Sequence, residues 1–275
     1  LGQALMWVVY LLLLYCLICS YLSAAGDVIT NLIREVFTSA PLWFGDIAAL
    51  LLLGTVVAVG IGAVDWVNRV LMSLKLGLYV FVILLILPKV HHANLLVQHS
   101  QWHGTVLLTM VTAFGFAIIV PSIRAYLDSD VGKLKKVLGL GSIIPLVIYL
   151  FWIIAVQGSL SPQALMPLLH SSQANSLLIA QLRSVFHLTL ISLPLQIFVT
   201  ICVFTSFLGV SICLVDFIAD GMSLKKRGTD GLVVFSVAYL PPLLIILLSP
   251  KLFYSALQYA GLCCVALLVM MPLLM

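Results

Sequence analysis

The feature that most constrains this chain is a succession of about eight stretches, each roughly 20 residues long and mostly apolar, the length a helix needs to cross a bilayer core about 30 Å thick. They lie near 4–26, 47–64, 70–88, 105–123, 136–157, 188–215, 232–249 and 252–274. Hydrocarbon offers no water to unpaired backbone groups, so a crossing segment must close its own hydrogen bonds, as an α-helix does. Composition agrees. The chain is 63% hydrophobic and 8% charged, with a mean hydropathy of +1.25, far outside the range of soluble globular domains. The sequence therefore predicts an all-α integral membrane protein, one transmembrane domain over 1–275, in contact with lipid.

Loop cations set the expected topology. If successive loops alternate sides, one side holds Arg69, Arg124, Lys133, Lys135, Lys136, Lys225, Lys226 and Arg227, and the other holds Arg34, Lys89, Arg183 and Lys251, eight against four. The richer side is cytoplasmic by the positive-inside rule, so Leu1 is expected on the cytoplasmic side of a multi-pass protein. Trp7, Trp43, Trp66 and Trp102 fall near the ends of predicted spans, where an amphipathic indole prefers to sit. The net charge of +4 comes from loop cations rather than a basic face interleaved with aromatics, so no nucleic-acid partner is expected. A start at Leu1 and a stop at Met275 inside an apolar run read as a fragment truncated at both ends.

The span near 105–123 contains Gly115 and Pro121 and predicts a broken helix near 113–122. Backbone that leaves the helical ladder at membrane depth is tolerated where it lines a cavity or binds something, which points to a secondary transporter. Phe114, Gly115 and Phe116 suit a substrate pocket there, because glycine frees the backbone and flanking rings supply a stacking wall. Plain helix packing is the other reading. The long outward-facing loop over 158–187 has two short helical patterns, 162–169 and 176–186, and reads as a lid over an outer vestibule or as a surface connector.

Enzymatic chemistry is not expected, since neither H-E-x-x-H nor G-x-S-x-G occurs. Cys16 and Cys19 form a C-x-x-C inside an apolar helix, with no second pair, so neither a metal site nor a disulfide is expected. His91, His92, His99 and His103 crowd one outward loop, read as a solvated surface. The expected cofactor set is empty, with the proton as coupling ion.

Polar residues inside the spans are the remaining candidates. Cys16, Ser20, Ser23 and Asp27 recur at helical spacing with Tyr21 beside them, a stripe that faces protein or water rather than lipid. Lys75 follows Arg69 by six residues, about 9 Å further along a helix. An amine at that depth is costly unless paired, so Lys75 either snorkels to the interface or exchanges protons. Asp216 and Asp220 stand four residues apart and can hand protons to the cytosol or simply face neighbouring lysines.

Several pieces of sequence carry a family resemblance. Phe114-Gly115-Phe116, Val120-Pro121-Ser122, then Tyr126 and Asp128 ahead of a Lys-rich turn, Gly141-Ser142-Ile143-Ile144-Pro145 and Phe151-Trp152 follow in order. So do Tyr21-Leu22-Ser23 with Gly26-Asp27, Val64-Asp65 with Asn68-Arg69, Ser73 with Lys75, Thr205 through Val210 with Asp216, and Leu240-Pro241-Pro242. Together they resemble the hydroxy and aromatic amino acid permease family over nearly the whole chain.

The resemblance implies a LeuT-type fold of two inverted five-helix repeats in a bacterial cytoplasmic (inner) membrane. It also implies uptake of an aromatic amino acid, tyrosine foremost, by proton symport. A permease for another amino acid and a transport-incompetent scaffold or receptor on the same fold are the alternatives. In that frame the spans correspond to the third through tenth family helices, and the first two are absent. The implied substrate-binding residues are Tyr21, Phe114, Gly115, Phe116, Thr205 and Ser206. Proton coupling is implied for Lys75, at the place where a lysine stands in for sodium in one branch of the superfamily, with Asp27 and Asp216 as further carriers. The chain departs from the family pattern at Ala117-Ile118, where His-Gly usually follows Phe-Gly-Phe, so a titratable side chain is missing at the break.

Overall fold

A computed structural model of the chain describes residues 2–36, 41–96, 103–115, 127, 130–170, 174–186, 189–226, 228–249 and 252–270. The long elements are helices α1 (Gly2–Val36), α2 (Leu42–Val59), α3 (Ile61–Ile86), α4 (His103–Ala113), α5 (Val131–Ser159), α6 (Ala174–Phe186), α7 (Thr189–Met222), α8 (Gly228–Leu248) and α9 (Leu252–Val265). No strand occurs among the described residues. Each of the predicted windows contains a helix. By length and composition five of the described helices, α1, α3, α5, α7 and α8, can cross a membrane, whereas 43–59 and 253–268 are shorter apolar helices. At a rise of 1.5 Å per residue α1 is about 50 Å long, well beyond the hydrocarbon thickness.

Helix ends follow from local chemistry. Gly60 has φ 122°, a conformation that strains any residue with a Cβ, and it turns the chain sharply from α2 into α3. The sequence window 47–64 therefore needs correction, because its last residues already belong to α3. Asp130 begins α5, its carboxylate accepting from the backbone N–H of Lys133 at 3.0 Å. That bond holds the Asp130 carboxyl below the usual carboxylate range. In 158–187, Ser161 caps a short turn, Pro162–Leu165, ahead of α6. The expected broken helix near 113–122 falls largely outside the described residues: α4 stops at Ala113, Phe114 and Gly115 follow in a turn, and 116–122 are not among those described.

The core is built around α1. Leu14, Ile18, Leu22 and Ala25 of α1 meet Ala49, Leu53 and Val57 of α2, Val203, Phe207 and Leu214 of α7, and Val234 and Ala238 of α8. A separate cluster joins Val82, Ile83 and Ile86 of α3, Ala155 and Val156 of α5, Leu182 of α6 and Leu195 of α7. One residue of the predicted polar stripe, Ser20, and its neighbour Cys19 make interhelical hydrogen bonds within this core. Ser20 donates to the carbonyl of Phe253 at 3.0 Å, and the Cys19 thiol to that of Pro242 at 3.9 Å, so these groups tie α1 to α9 and α8.

Candidate functional site

Between α1, α3, α5 and α7 lies a cavity of about 460 Å³. Its wall includes six aromatic side chains, Tyr21, Tyr79, Tyr149, Trp152, Phe198 and Phe253, together with Lys75, Cys202 and Ser206. Among the described lining residues, Lys75 is the one that carries a charge. It is half-buried on α3 and close enough to Cys202 on α7 for the two side chains to interact electrostatically. The Tyr21 hydroxyl lies within hydrogen-bonding range of Ser206. An aromatic chamber with one amine and a few hydroxyls can hold a small zwitterion whose side chain is a flat ring.

The structure brings three of the expected site residues, Tyr21, Lys75 and Ser206, to one cavity from three different helices. Phe114 and Gly115 sit beside it rather than in its wall. Phe114 packs edge-on against Tyr149, centroids 5.7 Å apart, and a Cβ on Gly115 would lie 3.2 Å from the Cys264 sulfur. Phe116 falls outside the described residues. Thr205 is buried, and its hydroxyl donates back into its own helix, to Ile201 O at 2.8 Å and Cys202 O at 3.1 Å. Of the proton-carrier candidates, Asp216 accepts from Lys226 Nζ at 2.5 Å in a half-exposed ion pair. Asp27 stands one residue beyond Gly26, where α1 crosses α2, and does not line the cavity.

Sequence reasoning missed Tyr79, Tyr149, Trp152, Phe198 and Cys202. Spacing on α3 contained a hint, since Tyr79 follows Lys75 by four residues and shares its face. Trp152 entered only as part of the Phe151-Trp152 string of the family resemblance. Nothing in the sequence could show that these residues converge from three helices.

Comparison with known proteins gives a consistent answer. The model of the tryptophan/tyrosine permease family matches residues 1–275. The tyrosine-specific transport system 2 of Haemophilus influenzae is 30% identical over 96% of this chain and 66% of its own length. Glutamine transporter 2 of Aliivibrio fischeri is 29% identical over 100% of this chain and 69% of its length. The tryptophan-specific transport protein of Haemophilus influenzae is 30% identical, covering 90% and 63%. The chain thus spans about two thirds of the length of the curated relatives it matches. No solved structure matches. The chain belongs to the tryptophan/tyrosine permease family.

Proposed function

On the premise of that membership, we propose that the cavity is the substrate site of a proton symporter importing an aromatic amino acid, tyrosine foremost. The observation that carries this reading is Lys75, the charged side chain among the described lining residues, set in a largely aromatic and apolar chamber between helices long and apolar enough to cross a membrane. Six rings favour an aromatic side chain over the amide of glutamine, the substrate named for one relative. Protonated Lys75 attracts the substrate carboxylate, and by linkage each of the two bound species strengthens the hold on the other. Proton and substrate then travel together.

The same reading assigns a LeuT-type arrangement in an inner membrane, with the first residue cytoplasmic, and makes α6 a lid. Support for the lid is local: Leu178 of α6 lines the cavity and Leu182 is buried between α3, α5 and α7.

The test is Lys75→Met in the full-length protein in proteoliposomes. Accumulation driven by an imposed pH gradient should vanish, while substrate counterflow persists with a raised half-saturation concentration, because the rings and hydroxyls of the wall still hold the substrate and rocking needs no net proton flow. Unchanged gradient-driven accumulation would remove Lys75 from coupling. A parallel sodium gradient distinguishes the coupling ion, and competition by tyrosine, tryptophan, phenylalanine and glutamine ranks the substrates.

A further inference from the structure

The cavity is not uniform along its length. At one end Tyr79 of α3, Trp152 of α5 and Phe198 of α7 pack into a triad. Ring centroids are 6.5 Å apart for Tyr79 and Trp152, 6.2 Å for Tyr79 and Phe198, and 5.3 Å for Trp152 and Phe198. All three are half-buried and line the cavity, so part of each ring remains open to it. Polar groups come in sequence from there. Lys75 is one helical turn from Tyr79, and Cys202, near enough to Lys75 to feel its charge, is one turn from Phe198. Ser206, beside Tyr21, lies a further turn away, roughly 12 Å along the axis from Phe198. The chamber therefore has an apolar aromatic end and a polar end, with the amine between them.

We propose that Tyr79, Trp152 and Phe198 form the subsite that takes the substrate's side chain, and that the Tyr79 oxygen selects a ring hydroxyl. This rests on the reading of the cavity as the substrate site. An amino acid enters such a chamber in one sense, its carboxylate toward Lys75 and its ring toward the triad, because the reverse places charge against bare rings and leaves the amine unpaired. Within the triad, the Tyr79 O–H already donates to the carbonyl of Ile148 at 2.8 Å. That bond fixes the ring and leaves its oxygen as an acceptor. A phenol on the substrate can donate to it; a phenylalanine ring cannot.

The experiment is competition for uptake by the full-length transporter in proteoliposomes, with tyrosine, phenylalanine and glutamine as competitors. Tyr79→Phe should reduce the preference for tyrosine over phenylalanine about fivefold, as expected for one lost hydrogen bond, with phenylalanine binding little changed. Trp152→Ala should weaken both aromatic competitors up to about tenfold and leave glutamine unaffected. Trp152→Phe, which keeps a ring in place, should give a smaller change of the same sign and covers the case in which the alanine variant does not assemble. A third variant, Ser206→Trp, fills the polar end of the cavity. If it abolishes uptake while Tyr79→Phe and both Trp152 variants leave the competitor order unchanged, the cavity stands and the subsite proposal is overturned. If Ser206→Trp transports normally, the cavity reading falls and the subsite with it.

Discussion

The hydroxyl of Tyr15 donates to the carbonyl oxygen of Val237 at 2.7 Å, the acceptor that Pro241, four residues further on, leaves without a helical N–H. A proline pair in the middle of a span would otherwise leave polar backbone unpaired in hydrocarbon. Here α1 supplies the missing donor from a neighbouring helix, so the gap in the hydrogen-bond ladder of α8 and the position of α1 are one feature.

This relationship predicts a coupled stability effect. Tyr15→Phe should cost about 1 kcal/mol, seen as a lower thermal midpoint of the detergent-solubilised protein. In a Pro241→Ala background, where the helix can satisfy Val237 itself, the same change should cost clearly less. Equal losses in both backgrounds would mean that the hydroxyl contributes by packing alone.

A second prediction concerns the crossing of α1 and α2. A Cβ at Gly45 would run into the Gly26 carbonyl oxygen and the Thr30 hydroxyl, and would lie 2.9 Å from the Thr30 backbone nitrogen. Two of these obstacles are backbone, which cannot turn aside. Gly45→Leu should therefore destabilise the protein by roughly 1–3 kcal/mol or more and reduce the monodisperse fraction on size-exclusion chromatography. Gly62→Ala is the control, since a Cβ there meets nothing within 4 Å.

Gly115→Leu addresses the turn after α4. A Cβ there already lies 3.2 Å from the Cys264 sulfur, tight enough that something must give, and the rest of a leucine has to find room beside Phe114 and α9. Phe114 in turn packs on Tyr149 in the cavity wall. The expected outcome is loss of uptake with normal membrane insertion, measured by transport assay against surface-labelled protein. Wild-type uptake kinetics would separate this turn from the transport site.

How much of this was open to the sequence depends on the physics involved. Apolar length alone specified the helices, because hydrocarbon forces a segment of that size to satisfy its own backbone, and no partner is needed to reach that conclusion. Family membership was legible as well, since Phe114-Gly115-Phe116, Leu240-Pro241-Pro242 and the other pieces persist as local strings. Among the sites, Lys75 and Tyr21 stood out because a charge or hydroxyl inside a span is costly wherever the helix is finally placed. Their neighbours did not stand out. Tyr79, Trp152 and Phe198 are ordinary residues for a membrane helix, and only the packing of α3, α5 and α7 turns them into one wall. Thr205 and Ser206 are adjacent in sequence, yet a 100° step around α7 gives one hydroxyl to its own helix and the other to the cavity. That choice depends on how α7 is rotated against its neighbours, and rotation is fixed by contacts between distant parts of the chain, which exist only once it has folded.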